Sequence, residues 1–174
     1  MGALSAQSHD TRARTRTGVN ADVASYWLII AGIYLTVGFL FYYAGKRKLF
    51  DQGGTMPSGL AAQFKGSLIA SFPGVNVAWF LLGLVLFIVF LGVVASLLTR
   101  EFLPSRRKPI LLGSLGLSMF AFGLMGFAEN TINNTDTVAS LFGYFSGTAV
   151  VVILLLLMPP YRKAGWLSSI VSDR

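Results

Sequence analysis

Four long apolar runs constrain this chain more than any motif in it: Tyr26 to Ala44, Val77 to Leu98, Ile110 to Phe127, and Val138 to Met158. Each approaches or exceeds the length needed to cross a hydrocarbon core of about 30 Å, which takes about 20 apolar residues in a helix. The runs are continuous rather than alternating or amphipathic, and 54% of the 174 residues are hydrophobic against 12% charged. A backbone in lipid must satisfy its own polar groups, so such runs fold as helices. The sequence predicts an all-α integral membrane protein, a four-helix bundle spanning residues 23–167. The N-terminal stretch is polar, and the first run is long with no small-residue cleavage pattern after it. No cleavable signal peptide is read there, and the first helix inserts the chain.

Lysine and arginine set the orientation. With four spans, ten cations fall on the side that holds both termini and the second loop, and four on the other: Lys46, Arg47, Lys48 and Lys65. This asymmetry places both termini in the cytoplasm. Tyr26, Trp27, Tyr161 and Trp166 then lie at the inner interface, and Tyr42, Tyr43 and Trp79 at the outer one. The net charge of +7 is a topology signal and an attraction to anionic lipid. No basic module interleaved with aromatics stands outside the spans, so nucleic-acid binding is excluded. The Arg/Thr-rich residues 1–22 have too little apolar content to fold and form a mobile cytoplasmic tail. Residues 168–174 form a second tail.

The connections differ in kind. From Gly45 to Asn76 the chain is too long for a turn; Thr55 and Pro57 start a helix there, and Leu60, Phe64, Leu68 and Phe72 recur every four residues. A short outer interfacial helix is expected, ended by Pro73 and Gly74. The second loop, TREFLPSRRKP, reads as a tight basic turn between prolines. The third, ENTINNTDT, carries two acids and no cation. In the third span Gly113, Gly116, Gly123 and Gly126 gather on one broad face, and Gly143 and Gly147 form GxxxG in the fourth. Such faces let backbones approach closely, first within the bundle, with a homodimer or a larger partner as the alternative.

The chemistry available is narrow. The chain has no cysteine and one histidine, His9, in the polar tail. Thiol redox chemistry, disulfides, thiolate metal sites and paired-histidine haem ligation are all excluded, and His9 is read as solvated. Met119, Met125 and Met158 are core filler rather than metal ligands. No acid or base lies in mid-span, as an ion path would require. Tyr34, Thr36, Ser96, Ser114, Ser118, Ser146 and Thr148 are mild polar groups able to bond their own helix or a neighbour. No cofactor and no catalytic residue is expected.

One constellation remains, at the outer rim. Lys46, Arg47 and Lys48 close the first span against the positive-inside preference, while Glu129 and Asp136 flank the ends of the third and fourth. An ion pair is expected, Arg47 to Glu129 first. Cations there also suit a helix C-terminus and lipid phosphates. The alternative is a ligand site for a quinone or an anionic headgroup.

A first span ending in Gly45, Lys48 and Leu49 as G-x-x-K-L, an outer segment closing on Pro73 and Gly74, a glycine-containing second span and two further spans together resemble the DoxX-like family of small four-helix bacterial membrane proteins. The similarity covers residues 34–157. It implies a small subunit or accessory of a membrane redox system, such as a thiosulfate:quinone oxidoreductase. The family often has a glutamate early in the second span, where this chain reads WFLLGLVLF, so no catalytic residue carries over. Two functions follow as expectations. The first is a non-catalytic accessory or stabilising subunit of a membrane-bound, respiratory or redox complex. The second is a free-standing enzyme or carrier that binds a quinone or lipid at the rim.

Overall fold

The computed structural model describes the backbone of residues 3–161 and the side chains of residues 23–161. What the sequence leads one to expect of residues 1–22, His9, Arg162, Lys163, Trp166 and residues 168–174 lies outside the described side chains. The elements run α1 (Ala3–Lys46), a π-helical turn (Arg47–Asp51), α2 (Ser58–Gln63), α3 (Leu68–Ser71), α4 (Val75–Leu98), α5 (Pro109–Asn130) and α6 (Thr135–Leu157). Among the described residues there is no strand. Among the described residues, four helical stretches are long and apolar enough to cross a membrane: Val23–Asp51, Val75–Leu98, Pro109–Asn130 and Thr135–Leu157. The four apolar runs of the sequence lie in these helices, with Met158 alone falling one residue past α6. The chain is a multi-pass membrane protein built as a four-helix bundle.

The chain comprises two compact units, Met1–Leu35 and Thr36–Arg174. In the first, Tyr26 and Trp27 meet edge to face with ring centroids 5.6 Å apart. Within the second, the last turns of α1 pack on α4 and α5, α4 packs on α5, and α5 packs on α6. Phe41 meets Phe122 with ring centroids 5.9 Å apart, Tyr42 meets Phe90 at 5.1 Å, and Phe122 stacks on Tyr144 at 5.7 Å. The buried face of α4, Leu86, Val89, Val93 and Ser96, repeats at helical spacing. That of α5 is Leu111, Ser114, Leu115, Ser118, Ala121 and Phe122. Ser96, Ser114 and Ser118 each donate to a carbonyl three or four residues back, so these polar groups are satisfied inside their own helices. On α6 only Leu155 is fully buried, which makes it the edge of the bundle.

The expected helix in the first connection is present but broken in two. Gly66 adopts φ +86°, a left-handed conformation that side-chain-bearing residues rarely adopt, and ends the α2 segment. Ser67 then caps α3, its Oγ accepting from the Ala70 N–H at 3.4 Å. The period-four face does not survive the break: Phe64 is buried, whereas Leu68 and Phe72 are exposed.

The glycines expected to pack inside the bundle do not. A Cβ added to Gly113, Gly116, Gly123, Gly126, Gly143 or Gly147 would meet nothing within 4 Å. On α5, at about 100° per residue, Gly113, Gly116 and Gly123 lie on the arc away from the buried side chains, while Gly126 borders them. The close approaches are made elsewhere. A Cβ on Gly45 would lie 2.9 Å from the Phe87 backbone nitrogen, and one on Gly83 would lie 2.8 Å from Lys48 Cβ. Gly92 faces the hydroxyl of Ser114 in the same way. The α1–α4 crossing therefore depends on bare backbone at positions 45 and 83. Gly45→Val and Gly83→Val are expected to destabilise the bundle by about 1–3 kcal/mol each through overpacking. Gly116→Ala and Gly123→Ala should cause no loss. Thermal unfolding in detergent, followed by circular dichroism, measures both sets.

Candidate functional site

Of the cations at the end of α1, Lys46 and Lys48 find different partners while Arg47 stays open, and the cause is a change of helix type. In a π-helical turn the backbone bond runs from residue i+5 to residue i. The Gln52 N–H accordingly donates to the Arg47 carbonyl at 2.9 Å. Residues five apart, which would diverge on an α-helix, are brought together. Lys46 Nζ thus reaches both carboxylate oxygens of Asp51, at 3.0 and 3.2 Å. This pair is exposed and contributes little to stability.

Lys48 turns inward. Its Nζ lies 3.2 Å from the centroid of the Trp79 ring, a cation–π contact within the usual limit of about 6 Å. The indole is fixed from its other end, Nε1 donating to Gln52 Oε1 at 3.0 Å. One turn along α4, the missing side chain of Gly83 makes room for the Lys48 stem, and a turn further Phe87 meets Gly45. Trp79, Gly83 and Phe87 recur every four residues against Gln52, Lys48 and Gly45. This antiparallel register is the scaffold of the site.

Met56, which is buried, anchors the chain beyond the turn, its N–H donating to Asn76 Oδ1 at 3.1 Å. A cavity of about 470 Å³ is left between the turn, α2 and the start of α4. Its polar wall is Arg47, Lys48 and Gln52; its apolar wall is Ala44, Pro57, Leu60 and Trp79. A groove of about 520 Å³ runs along α1 past Thr36, Phe39, Leu40 and Tyr43, and it shares Ala44 and Arg47 with the cavity.

The expected Arg47–Glu129 ion pair is not formed. Among the described residues the salt bridge is Lys46–Asp51. Glu129 is taken up locally, Oε2 accepting from Asn134 Nδ2 at 2.9 Å. Asn134 in turn caps α6, its Oδ1 accepting from the Thr137 N–H at 3.4 Å. Asp136 sits exposed in the first turn of α6, where a negative charge suits the helix dipole. The acids of the third loop close their own turn, and the rim cations find a nearer acid, an aromatic face and a cavity.

At the opposite rim stands an arrangement that sequence reading missed. Glu101 and Lys108 are both buried. The Glu101 carboxylate accepts from the Ile110 and Leu111 N–H groups, each at 3.0 Å, and so caps α5 just after Pro109 at its first position. Lys108 Nζ donates to the carbonyls of Leu103, Arg106 and Pro159 at 3.3–3.4 Å, and its N–H donates to Tyr161 Oη at 2.7 Å. The loop thereby ties the start of α5 to the segment after α6. The available signal was a single acid inside a basic loop, eight residues before a proline that opens a helix.

No protein-family model matches this chain, and no curated protein or solved structure is significantly similar to it. Among the described residues no group of His, Cys, Asp or Glu is placed to hold a metal ion.

Burial pushes the Lys108 ammonium below its ordinary value of 10.5, and the nearby Glu101 charge acts in the opposite direction. Just below pH 10.5 the unfolded chain then binds more protons than the folded one, so this residue makes stability rise with pH across that interval. Lys108→Met should remove the rise. Comparing melting temperatures of the two proteins from pH 8 towards 10.5 tests it: wild type should gain relative to the variant as pH increases, and parallel curves would contradict the assignment.

Proposed function

We propose that this chain is a non-catalytic accessory or stabilising subunit of a membrane-bound complex, docked through the α5–α6 side. The open glycine surface supports the reading. Helices in lipid have no hydrophobic drive to associate and rely on close contact at small residues. Gly113, Gly116, Gly123 and Gly126 of α5, with Gly143 and Gly147 of α6, offer such contact, and nothing among the described residues fills it. The edge position of α6, with Leu155 as its one fully buried residue, leaves the surface accessible to a partner helix. The DoxX-like resemblance directs the choice of complex to respiratory or redox assemblies. The ten-to-four distribution of cations supports termini in the cytoplasm, and the DoxX-like resemblance supports a bacterial plasma membrane location.

Purification from native membranes in mild detergent, with mass spectrometry of the accompanying proteins, tests the proposal. A larger membrane protein should travel with the chain in fixed proportion. Gly116→Leu combined with Gly147→Leu should lower its recovery about tenfold or more while the chain's own melting is unchanged; a loss of about 1.4 kcal/mol of docking free energy is enough. A chain that runs alone, or only with a second copy of itself, contradicts the accessory role.

A further inference from the structure

The rim cavity and the α1 groove adjoin each other, with Ala44 and Arg47 lining both. The cavity wall offers hydrogen-bond donors and positive charge. Arg47 is exposed and, among the described residues, has neither an ion pair nor a side-chain hydrogen bond. Lys48 holds its ammonium on the Trp79 face, where its contact is with the ring rather than a carboxylate. Gln52 spends its oxygen on the Trp79 indole, which leaves its amide nitrogen as a donor. No acid lines the cavity, and Asp51, the nearest in sequence, is held by Lys46. Planar guanidinium beside a point ammonium is a donor set suited to a phosphate.

The groove supplies the other half of an amphiphile. Thr36 and Arg47 are eleven residues apart on α1, so the groove is about 16 Å long at 1.5 Å per residue. That is about half of a hydrocarbon core of about 30 Å, the depth of one leaflet. Phe39 and Tyr43 stack at 6.2 Å and form an exposed aromatic wall along it.

We propose that this feature binds one anionic phospholipid, with its phosphate between Arg47 and Lys48 and an acyl chain laid along the groove from Ala44 towards Thr36. The two cations select a lipid that carries net negative charge over a zwitterionic one. The groove selects a lipid over a free phosphate ester. This site lies on α1 and α4, apart from the glycine surface of α5 and α6, and its occupancy does not depend on any protein partner.

Native mass spectrometry of the purified full-length chain in detergent tests the site. The probes are phosphatidylglycerol, phosphatidylcholine and glycerol 3-phosphate. One phosphatidylglycerol per chain should be retained about tenfold more tightly than phosphatidylcholine, with glycerol 3-phosphate unable to compete at equal concentration. Arg47→Gln should weaken phosphatidylglycerol about tenfold, as expected for loss of a charge-assisted contact. Since Arg47 bonds no other side chain, the variant should melt as wild type does. Ala44→Trp, which blocks the junction without changing charge, should weaken it as well. Equal retention of the two lipids, insensitivity to Arg47→Gln, or displacement by glycerol 3-phosphate would each overturn the proposal. So would a phosphatidylglycerol affinity unchanged by Ala44→Trp in a variant that still folds.

Discussion

The crossing of α1 on α4 is the contact on which the rest of this structure depends. Gly45 lies against the Phe87 backbone and Gly83 against the Lys48 stem, each at a spacing that admits no Cβ. In lipid, where apolar surface has no water to escape, close van der Waals contact of this kind is what holds helices together. The crossing also sets a register. It puts Lys48 over Trp79, lets Gln52 hold the indole, and opens the rim cavity between them. A helix of ordinary pitch through Arg47 to Asp51 would turn these side chains elsewhere, and the π-helical turn is what aims them.

At both rims, several charged side chains are taken up by nearby groups. At one rim Lys46 pairs with Asp51, and Lys48 exchanges water for an aromatic face. At the other, Glu101 closes the N-terminus of α5, while Lys108 gathers carbonyls from the loop and from Pro159. A carboxylate accepting two backbone N–H groups at a helix start combines charge-assisted hydrogen bonds with a favourable helix dipole. These contacts fasten helix ends: the turn after α1 to α4 at one rim, and the loop after α4 to the start of α5 and the segment after α6 at the other. Lys46 and Lys48 thus have local partners, and Arg47 is the one whose side chain stays available.

Span number and length were legible because a run of about 20 apolar residues has few other solutions. Of the two alternatives open for Ser96, Ser114 and Ser118, a bond within their own helix or to a neighbour, the structure takes the first. Which glycines face a neighbour was not legible. Gly113 to Gly126 and Gly45, Gly83 and Gly92 look alike as letters, and only the crossing decides which of them meet backbone or side chains. The ion pair was misplaced for a related reason. Asp51, the partner of Lys46, is five residues away, a spacing that an α-helix separates and that only the π-helical turn brings together. Glu101 and Lys108 were hidden because a loop carries no periodicity that reports where it folds back.

The Lys48–Trp79 contact reads out the whole arrangement, since it exists only if the crossing, the turn and the Gln52 brace are all in place. Nuclear magnetic resonance of selectively labelled protein in lipid nanodiscs measures it directly. The account predicts that the Lys48 ε-methylene protons are displaced upfield by the indole ring current, with a nuclear Overhauser contact to the Trp79 ring, and that Trp79→Leu abolishes both. Lys48 resonances at ordinary lysine positions in the wild-type protein, unchanged by Trp79→Leu, would contradict it.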